Sequence, residues 1–220
     1  MKLFIDSADI GEIREAASWG ILEGCTTNPS LVQKTGRPFR DCVADILAVV
    51  DGPVSVEAVS ADAAGMLREG KQWAELDPDK VTIKIPMGLE GLKALRGLAD
   101  EHIRTNCTLV FSPAQALLAC RAGATFLSPF VGRLDDIGHD GMDLVSDIVD
   151  FIDSYGLDTE LIAASLRHPL HVIQAARAGA HIATVPFKVL KAMANHPLTE
   201  AGIRKFHEDY LKIPGAGGRQ

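Results

Sequence analysis

The sequence predicts an α/β fold: a single (β/α)8 TIM barrel with an extra C-terminal helix. Three observations carry that expectation. Short β-branched apolar runs alternate with amphipathic helical stretches along the chain, which implies parallel strands joined by right-handed crossovers. Eight such units fill 220 residues, which suits a closed barrel better than an open doubly wound sheet. Polar residues gather at the carboxyl ends of the runs, where a parallel barrel has its mouth.

Strands are expected at residues 2–6, 24–27, 54–59, 81–85, 105–110, 125–128, 161–165 and 182–185. Each is short, apolar and bounded by turn-forming or helix-starting residues. Helices are expected at 9–19, 39–50, 61–74, 89–99, 113–122, 142–155, 169–178 and 187–194. In the first, Ile10, Ile13, Ala16 and Ala17 share one face. Asn28-Pro29-Ser30 reads as a turn and helix start, with Ser30 as a good N-cap. Arg121-Ala122-Gly123-Ala124 and Arg177-Ala178-Gly179-Ala180 each end a helix just before a strand, where glycine supplies a left-handed cap. A further helix is expected at 198–211, opened by Thr199-Glu200, with Ile203, Phe206, Tyr210 and Leu211 on its apolar side. The barrel needs no ninth helix, so this one packs on the barrel exterior or on a neighbouring subunit. One domain is expected over 1–213, with a flexible Gly-rich tail at 214–220.

The chain is 47% hydrophobic, enough to bury one full core. A net charge of -7 argues against nucleic-acid binding, so positive residues near a site are local in purpose. The opening Met1-Lys2-Leu3-Phe4-Ile5-Asp6 turns acidic too soon for a signal peptide, and no apolar run is long enough to cross a membrane. Cys25, Cys42, Cys107 and Cys120 lie far apart with no CxxC pair, so buried free thiols are expected.

Lys84 stands alone in the apolar run Val81-Thr82-Ile83-Lys84-Ile85-Pro86. A buried ammonium must be paired or give up its proton, and a neutral lysine amine attacks carbonyls to form Schiff bases. The ordinary alternative is an edge-strand lysine whose head reaches water. The other polar strand residues tip the balance. Asp6 ends the first strand and Thr26, Thr27 and Asn28 the second, while Glu57 sits late in the third. Asn106 and Thr108 lie on the fifth, and Ser128 with Arg133, then Ser165 with Arg167, follow at the sixth and seventh. Each has an ordinary explanation, such as a cap, a turn or a surface arginine. One barrel mouth explains all of them together.

These residues sit in motifs that resemble the transaldolase family: Phe4-Ile5-Asp6-Ser7-Ala8, Thr26-Thr27-Asn28-Pro29-Ser30-Leu31, Ile83-Lys84-Ile85-Pro86, Asn106-Cys107-Thr108-Leu109-Val110-Phe111-Ser112, Ser128-Pro129-Phe130-Val131-Gly132-Arg133 and Ala164-Ser165-Leu166-Arg167. They occur in family order across nearly the whole chain, at the length of the compact branch that includes fructose-6-phosphate aldolases. The resemblance implies transfer of a dihydroxyacetone unit from sedoheptulose 7-phosphate or fructose 6-phosphate to an aldose phosphate, as in the non-oxidative pentose phosphate pathway. It implies Lys84 as Schiff-base nucleophile, Asp6 as proton acceptor, and Glu57 with Thr108 around a catalytic water. Thr26 and Asn28 would bind the dihydroxyacetone unit, and Arg133, Ser165 and Arg167 the phosphate. Asn106, Ser128 and Phe130 complete the substrate-binding set. The aldolase branch typically has Tyr where this chain has Phe130 and Gln where it has Glu57, so the transferase side is favoured. The resemblance further implies a cytoplasmic homo-oligomer, a pentamer or decamer, with no membrane or nucleic-acid partner and no cofactor or metal.

Two alternatives stay open at this point. Asp135, Asp136, His139 and Asp140, or His168 with His171, could ligate a metal, although the latter pair reads better as a helix start. A non-catalytic sugar-phosphate-binding barrel would keep the two arginines without needing Lys84.

Overall fold

The computed structural model describes residues 1–214. The expected tail at 214–220, including Gly215-Ala216-Gly217-Gly218, lies outside these residues apart from Pro214. The strands are β1 (Lys2–Asp6), β2 (Gly24–Thr26), β3 (Val54–Glu57), β4 (Val81–Pro86), β5 (Thr105–Val110), β6 (Phe126–Pro129), β7 (Glu160–Ala163) and β8 (Ile182–Val185). They close into one all-parallel barrel in sequence order. Lys2 opposite Ile182 and Ile5 opposite Val185 join the last strand to the first.

Helices cover the outside: α1 (Ile10–Ser18), α2 (Pro29–Thr35), α3 (Phe39–Leu47), α4 (Ala63–Ala74), α5 (Leu89–Asp100), α6 (Pro113–Arg121), α7 (Val131–Asp135), α8 (Gly141–Tyr155), α9 (Pro169–Arg177), α10 (Phe187–Ala194) and α11 (Pro197–Leu211). The strands therefore appear where expected, most of them trimmed or shifted by a residue or two. Of two short helices, α2 was foreseen only as a helix start near Ser30 and α7 not at all. Ser30 is not a cap: Asn28 accepts from the Leu31 N–H at 3.0 Å. Pro29 takes the first helical position, where its missing N–H costs nothing, so the cap falls on the residue before it. The same rule places the start of α11 at Pro197 behind His196, one residue before the expected Leu198. Gly123 and Gly179 do adopt left-handed conformations, with φ of 89° and 82°.

Alternate strand residues divide two cores. Ile5, Cys25, Val56, Ile83, Ile85, Leu127, Leu161 and Val185 belong to the large apolar layer beneath the helices. Phe4, Phe126, Ile162 and Ile182 form a separate plug inside the barrel. Gly24 makes room for that plug: a Cβ there would meet the Phe4 ring at 2.5 Å. Above the plug the interior turns polar. The Thr26 and Thr184 hydroxyls lie 2.6 Å apart although β2 and β8 are not neighbours, so this contact passes through the interior. Thr82 and Thr105 are also buried strand hydroxyls, so polar groups reach deeper than the mouth alone. No residue of α11 is buried, and Leu198, Ile203, Phe206 and Leu211 are exposed.

Candidate active site

Lys84 occupies the centre of the mouth. Its residue is only 5% exposed, and a closed barrel gives it no edge from which to reach bulk water. It is paired: Nζ lies 3.0 Å from Glu57 Oε2 and donates to the Thr27 carbonyl at 3.0 Å. Glu57 and Lys84 are register partners on adjacent strands, so the pairing follows from the sheet itself. Asp6 ends β1, and its carboxylate accepts from the Thr26 hydroxyl at 2.8 Å. The Thr108 hydroxyl is buried without a hydrogen-bond partner among the described residues. Leu109, beside it, has φ of 58°, and the β5–β6 register slips between Cys107 and Val110. This bulge, at a left-handed non-glycine residue, is strain held at the site rim.

A buried polar floor supports these groups. Asn106 donates to Ser55 Oγ at 3.1 Å and accepts from Ser128 Oγ at 2.7 Å, so its amide is fixed on both sides. Asn106 thus lies under the mouth and orients it. Two cavities open above. One, of about 140 Å³, is lined by Asp6, Thr26, Asn28, Lys84, Ser128, Phe130, Arg133 and Ser165, among others. The other, of about 420 Å³, shares Asn28, Lys84, Phe130 and Arg133 and adds Glu57, Thr108 and Lys34. Arg133 sits over the Phe130 ring at 5.1 Å, and Phe130 meets Phe111 edge-on at 5.9 Å. Ser165 has φ of 60°, where the chain turns out of the barrel after β7.

The same residues place the chain among known proteins. The family described as Transaldolase/Fructose-6-phosphate aldolase matches residues 3–216. A probable transaldolase from Hydrogenobaculum sp. (strain Y04AAS1) is 60% identical over 214 residues, covering 97% of this chain and 98% of that protein. Probable transaldolases from Pelotomaculum thermopropionicum and Aquifex aeolicus are 59% and 56% identical, each over 97% of this chain and at least 98% of theirs. The chain belongs to the transaldolase/fructose-6-phosphate aldolase family. It is accordingly an enzyme of the transaldolase/aldolase type.

Of the site residues that the sequence marked, the structure brings eleven to the mouth or its floor and leaves Arg167 outside. Arg167 lines neither cavity; its Nη2 donates to Asp136 Oδ2 at 2.6 Å on the outer side of α7. An exposed carboxylate within reach is a good partner for a guanidinium. Two residues that sequence reasoning missed complete the site. Thr184 touches Thr26 and lines the smaller cavity. Lys34, on α2, lines the larger cavity and brings a second exposed positive charge beside Arg133. Lys34 gave no signal because only the start of α2, at Asn28-Pro29-Ser30, was read, without its length or direction; Thr184 gave one, as a hydroxyl near a strand end.

The electrostatics of Asp6 suit proton transfer. Burial pushes its carboxyl above the usual range, the Lys84 charge and the Thr26 hydrogen bond pull it back, Glu57 pushes it up again, and Lys34 pulls it down. The net result is upward, toward a group that can both take and return a proton. The acidic loop after β6 has other work. Asp135 Oδ1 accepts from the Gly141 N–H at 2.9 Å, and Asp135 Oδ2 lies 3.2 Å from His171 Nε2. Asp140 caps α8 and His168 caps α9. Among the described residues no group of three or more His, Cys, Asp or Glu is placed to hold a metal ion. None of the described helices is long and apolar enough to cross a membrane. Cys25, Cys42 and Cys107 are buried free thiols and Cys120 a half-buried one; burial pushes the Cys107 thiol up to about 12.

Proposed function

We propose that this enzyme transfers a dihydroxyacetone unit from a ketose phosphate, such as sedoheptulose 7-phosphate or fructose 6-phosphate, to an aldose phosphate through a Schiff base on Lys84. The observation that carries this reading is a single buried lysine held 3.0 Å from Glu57, in a cavity it shares with Asp6. Glu57 is the base within reach to free the amine, directly or through a water shared with the unpartnered Thr108 hydroxyl. The amine adds to the C2 carbonyl, and the carbinolamine loses water to give an iminium. Asp6 takes the C4 hydroxyl proton, the C3–C4 bond breaks, and its electron pair flows into the iminium. An aldose phosphate leaves and an enamine stays on Lys84. That enamine attacks the acceptor aldehyde, whose oxygen receives the proton from Asp6. Water then adds to the new iminium, releasing the product ketose and the lysine.

Thr26 and Asn28 are assigned to the dihydroxyacetone unit, with Ser128 at the same cavity and Asn106 holding Ser128 from below. The Asn28 carbonyl oxygen is occupied as a helix cap, which leaves its NH2 as the donor for a sugar hydroxyl. Arg133, Ser165 and Arg167 are assigned to the phosphate. Phe130 supports transfer over plain aldol cleavage, because a phenyl ring cannot position a water that would protonate the enamine. The reading places the enzyme in the cytoplasm and in the non-oxidative pentose phosphate pathway, with no cofactor. It also makes the enzyme a homo-oligomer, for which the exposed apolar side of α11 is the support; truncation before Pro197 should lower the particle mass in light scattering, and a native monomer would refute assembly.

Borohydride added during incubation with fructose 6-phosphate, followed by peptide mapping, tests the chemistry. A three-carbon adduct on the peptide carrying Lys84 is the expected result. An adduct on another lysine, or none, overturns it.

A further inference from the structure

We infer that Asp136 is a specificity-determining residue: it holds Arg167 away from the mouth and so sets how strongly the enzyme favours phosphorylated ligands. The inference rests on the assignment of Arg167 to the phosphate site. Three observations lead to it. First, Arg167 points to Asp136 while its neighbour Ser165 lines the mouth, so the proposed phosphate site is divided before a ligand arrives. Second, the path of Arg167 is built. A Cβ at Gly132 would meet the Ser165 carbonyl oxygen at 2.4 Å first, then Arg167 Nε at 2.6 Å and its Cγ at 2.9 Å, so this glycine lets the chain leaving β7, and the arginine stem with it, lie close against α7. Gly132 immediately precedes Arg133, which lines both cavities, so the stem already lies beside the mouth and only the head is turned outward.

Third, the backbone of Arg167 is anchored independently of its side chain. Its N–H donates to His171 Nδ1 at 3.3 Å, and the other face of that buried ring meets Asp135 at 3.2 Å. The loop can therefore stay in place while the guanidinium changes partners. Asp136 and its pair with Arg167 are both about half exposed, at 56% and 49% of side-chain area. Such a pair is weak enough for a phosphate dianion, backed by Arg133, to draw the guanidinium off. A neutral ligand offers no such exchange, so Asp136 penalises phosphate binding slightly and leaves sugar binding unaffected.

The test uses inorganic phosphate as the probe, at fixed ionic strength, on four proteins: unmodified, Asp136→Asn, Arg167→Ala and the double variant. Binding is followed by NMR of arginine Nε–H groups, which reports on Arg167 whether or not the enzyme turns over. Asp136→Asn should tighten phosphate binding by roughly two- to fivefold, the range of an exposed ion pair, and shift the Arg167 signal in the free protein. In the Arg167→Ala background the same change should do nothing. An equal tightening in both backgrounds means that Asp136 acts only as a general negative charge, which overturns the inference. Unchanged or weaker binding in Asp136→Asn, with Arg167→Ala still harmful, overturns it while leaving the phosphate assignment standing. If Arg167→Ala leaves phosphate affinity unchanged, the assignment itself fails and the inference with it.

Discussion

Replacing Lys84 by Met isolates the charge balance at the centre of the mouth. Met fills similar apolar volume, so the strand packing survives, but the ammonium is gone. At the observed 3.0 Å, with an effective dielectric of about 20, the Lys84–Glu57 attraction is ~5–6 kcal/mol before the cost of removing both charges from water. Removing one partner of a buried pair typically costs about 3–5 kcal/mol, because the other charge is left uncompensated. Glu57 keeps 16% of its side-chain area exposed, so some hydration remains and the lower end of that range is expected at pH 7. Asp6 adds to the loss, since the Lys84 charge is the largest influence opposing its burial. The loss should shrink on acidification, as the Asp6 carboxyl, already pushed upward by burial, takes up its proton. Converting Glu57 to Gln in the same chain should restore most of the stability while activity and borohydride trapping stay abolished. Urea unfolding followed by circular dichroism at pH 7 and at acidic pH is the assay. A Lys84→Met variant as stable as the unmodified protein, or one not rescued by Glu57→Gln, would show that the pair does not carry the energy assigned here.

Asp6→Asn should abolish turnover yet raise thermal stability at neutral pH. Because folding raises the Asp6 pKa, the native state binds more protons than the unfolded one, so stability falls as pH rises from the ordinary carboxylate range through the raised value. The gain in the variant should vanish at pH values below that range, and a scan of melting temperature against pH checks it. Arg133→Ala should cost about 1.5–3 kcal/mol in kcat/KM for phosphorylated donors and little for dihydroxyacetone, with Arg167→Ala showing the same selectivity more weakly because Asp136 already engages it; equal losses on both substrate types would remove the phosphate assignment. Phe130→Tyr should raise release of free dihydroxyacetone relative to transfer, by roughly fivefold if the new hydroxyl gains one hydrogen bond of ~1 kcal/mol. Unmodified enzyme that released dihydroxyacetone from fructose 6-phosphate as fast as it transferred it would move the chain to the aldolase side.

The barrel was legible because its signals are periodic. Apolar runs and amphipathic stretches alternate, and parallel topology then sends every strand end to one side. The site was legible for the same reason: Asp6, Glu57, Lys84 and Thr108 stand on strands whose direction is fixed. Apart from Thr184 on β8, what escaped lies in the segments that leave the strands. The two short helices, α2, of which only the start was read, and α7, span seven and five residues, too short to show a helical period. They nevertheless carry Lys34 and Arg133 to the mouth. Arg167 illustrates a different limit. Its position in the sequence places the residue at the mouth, but the direction of a long side chain depends on competing partners, here an exposed Asp136 from another loop. The left-handed backbones of Leu109 and Ser165 were equally invisible, since neither residue type favours that conformation.

Closure of the barrel has a consequence for the newborn chain. The first strand is held on one side by the second, but on the other only by the last, through the pairs from Lys2–Ile182 to Ile5–Val185. The first strand therefore lacks one of its two neighbours until the last has been made, and Asp6 at its end is framed on both sides only in the closed barrel. On the proposed mechanism, a Lys84 amine that attacks carbonyls would be a hazard among free aldehydes. On that same proposal the complete site comes with the final strand, so reactivity arrives late, together with the finished fold.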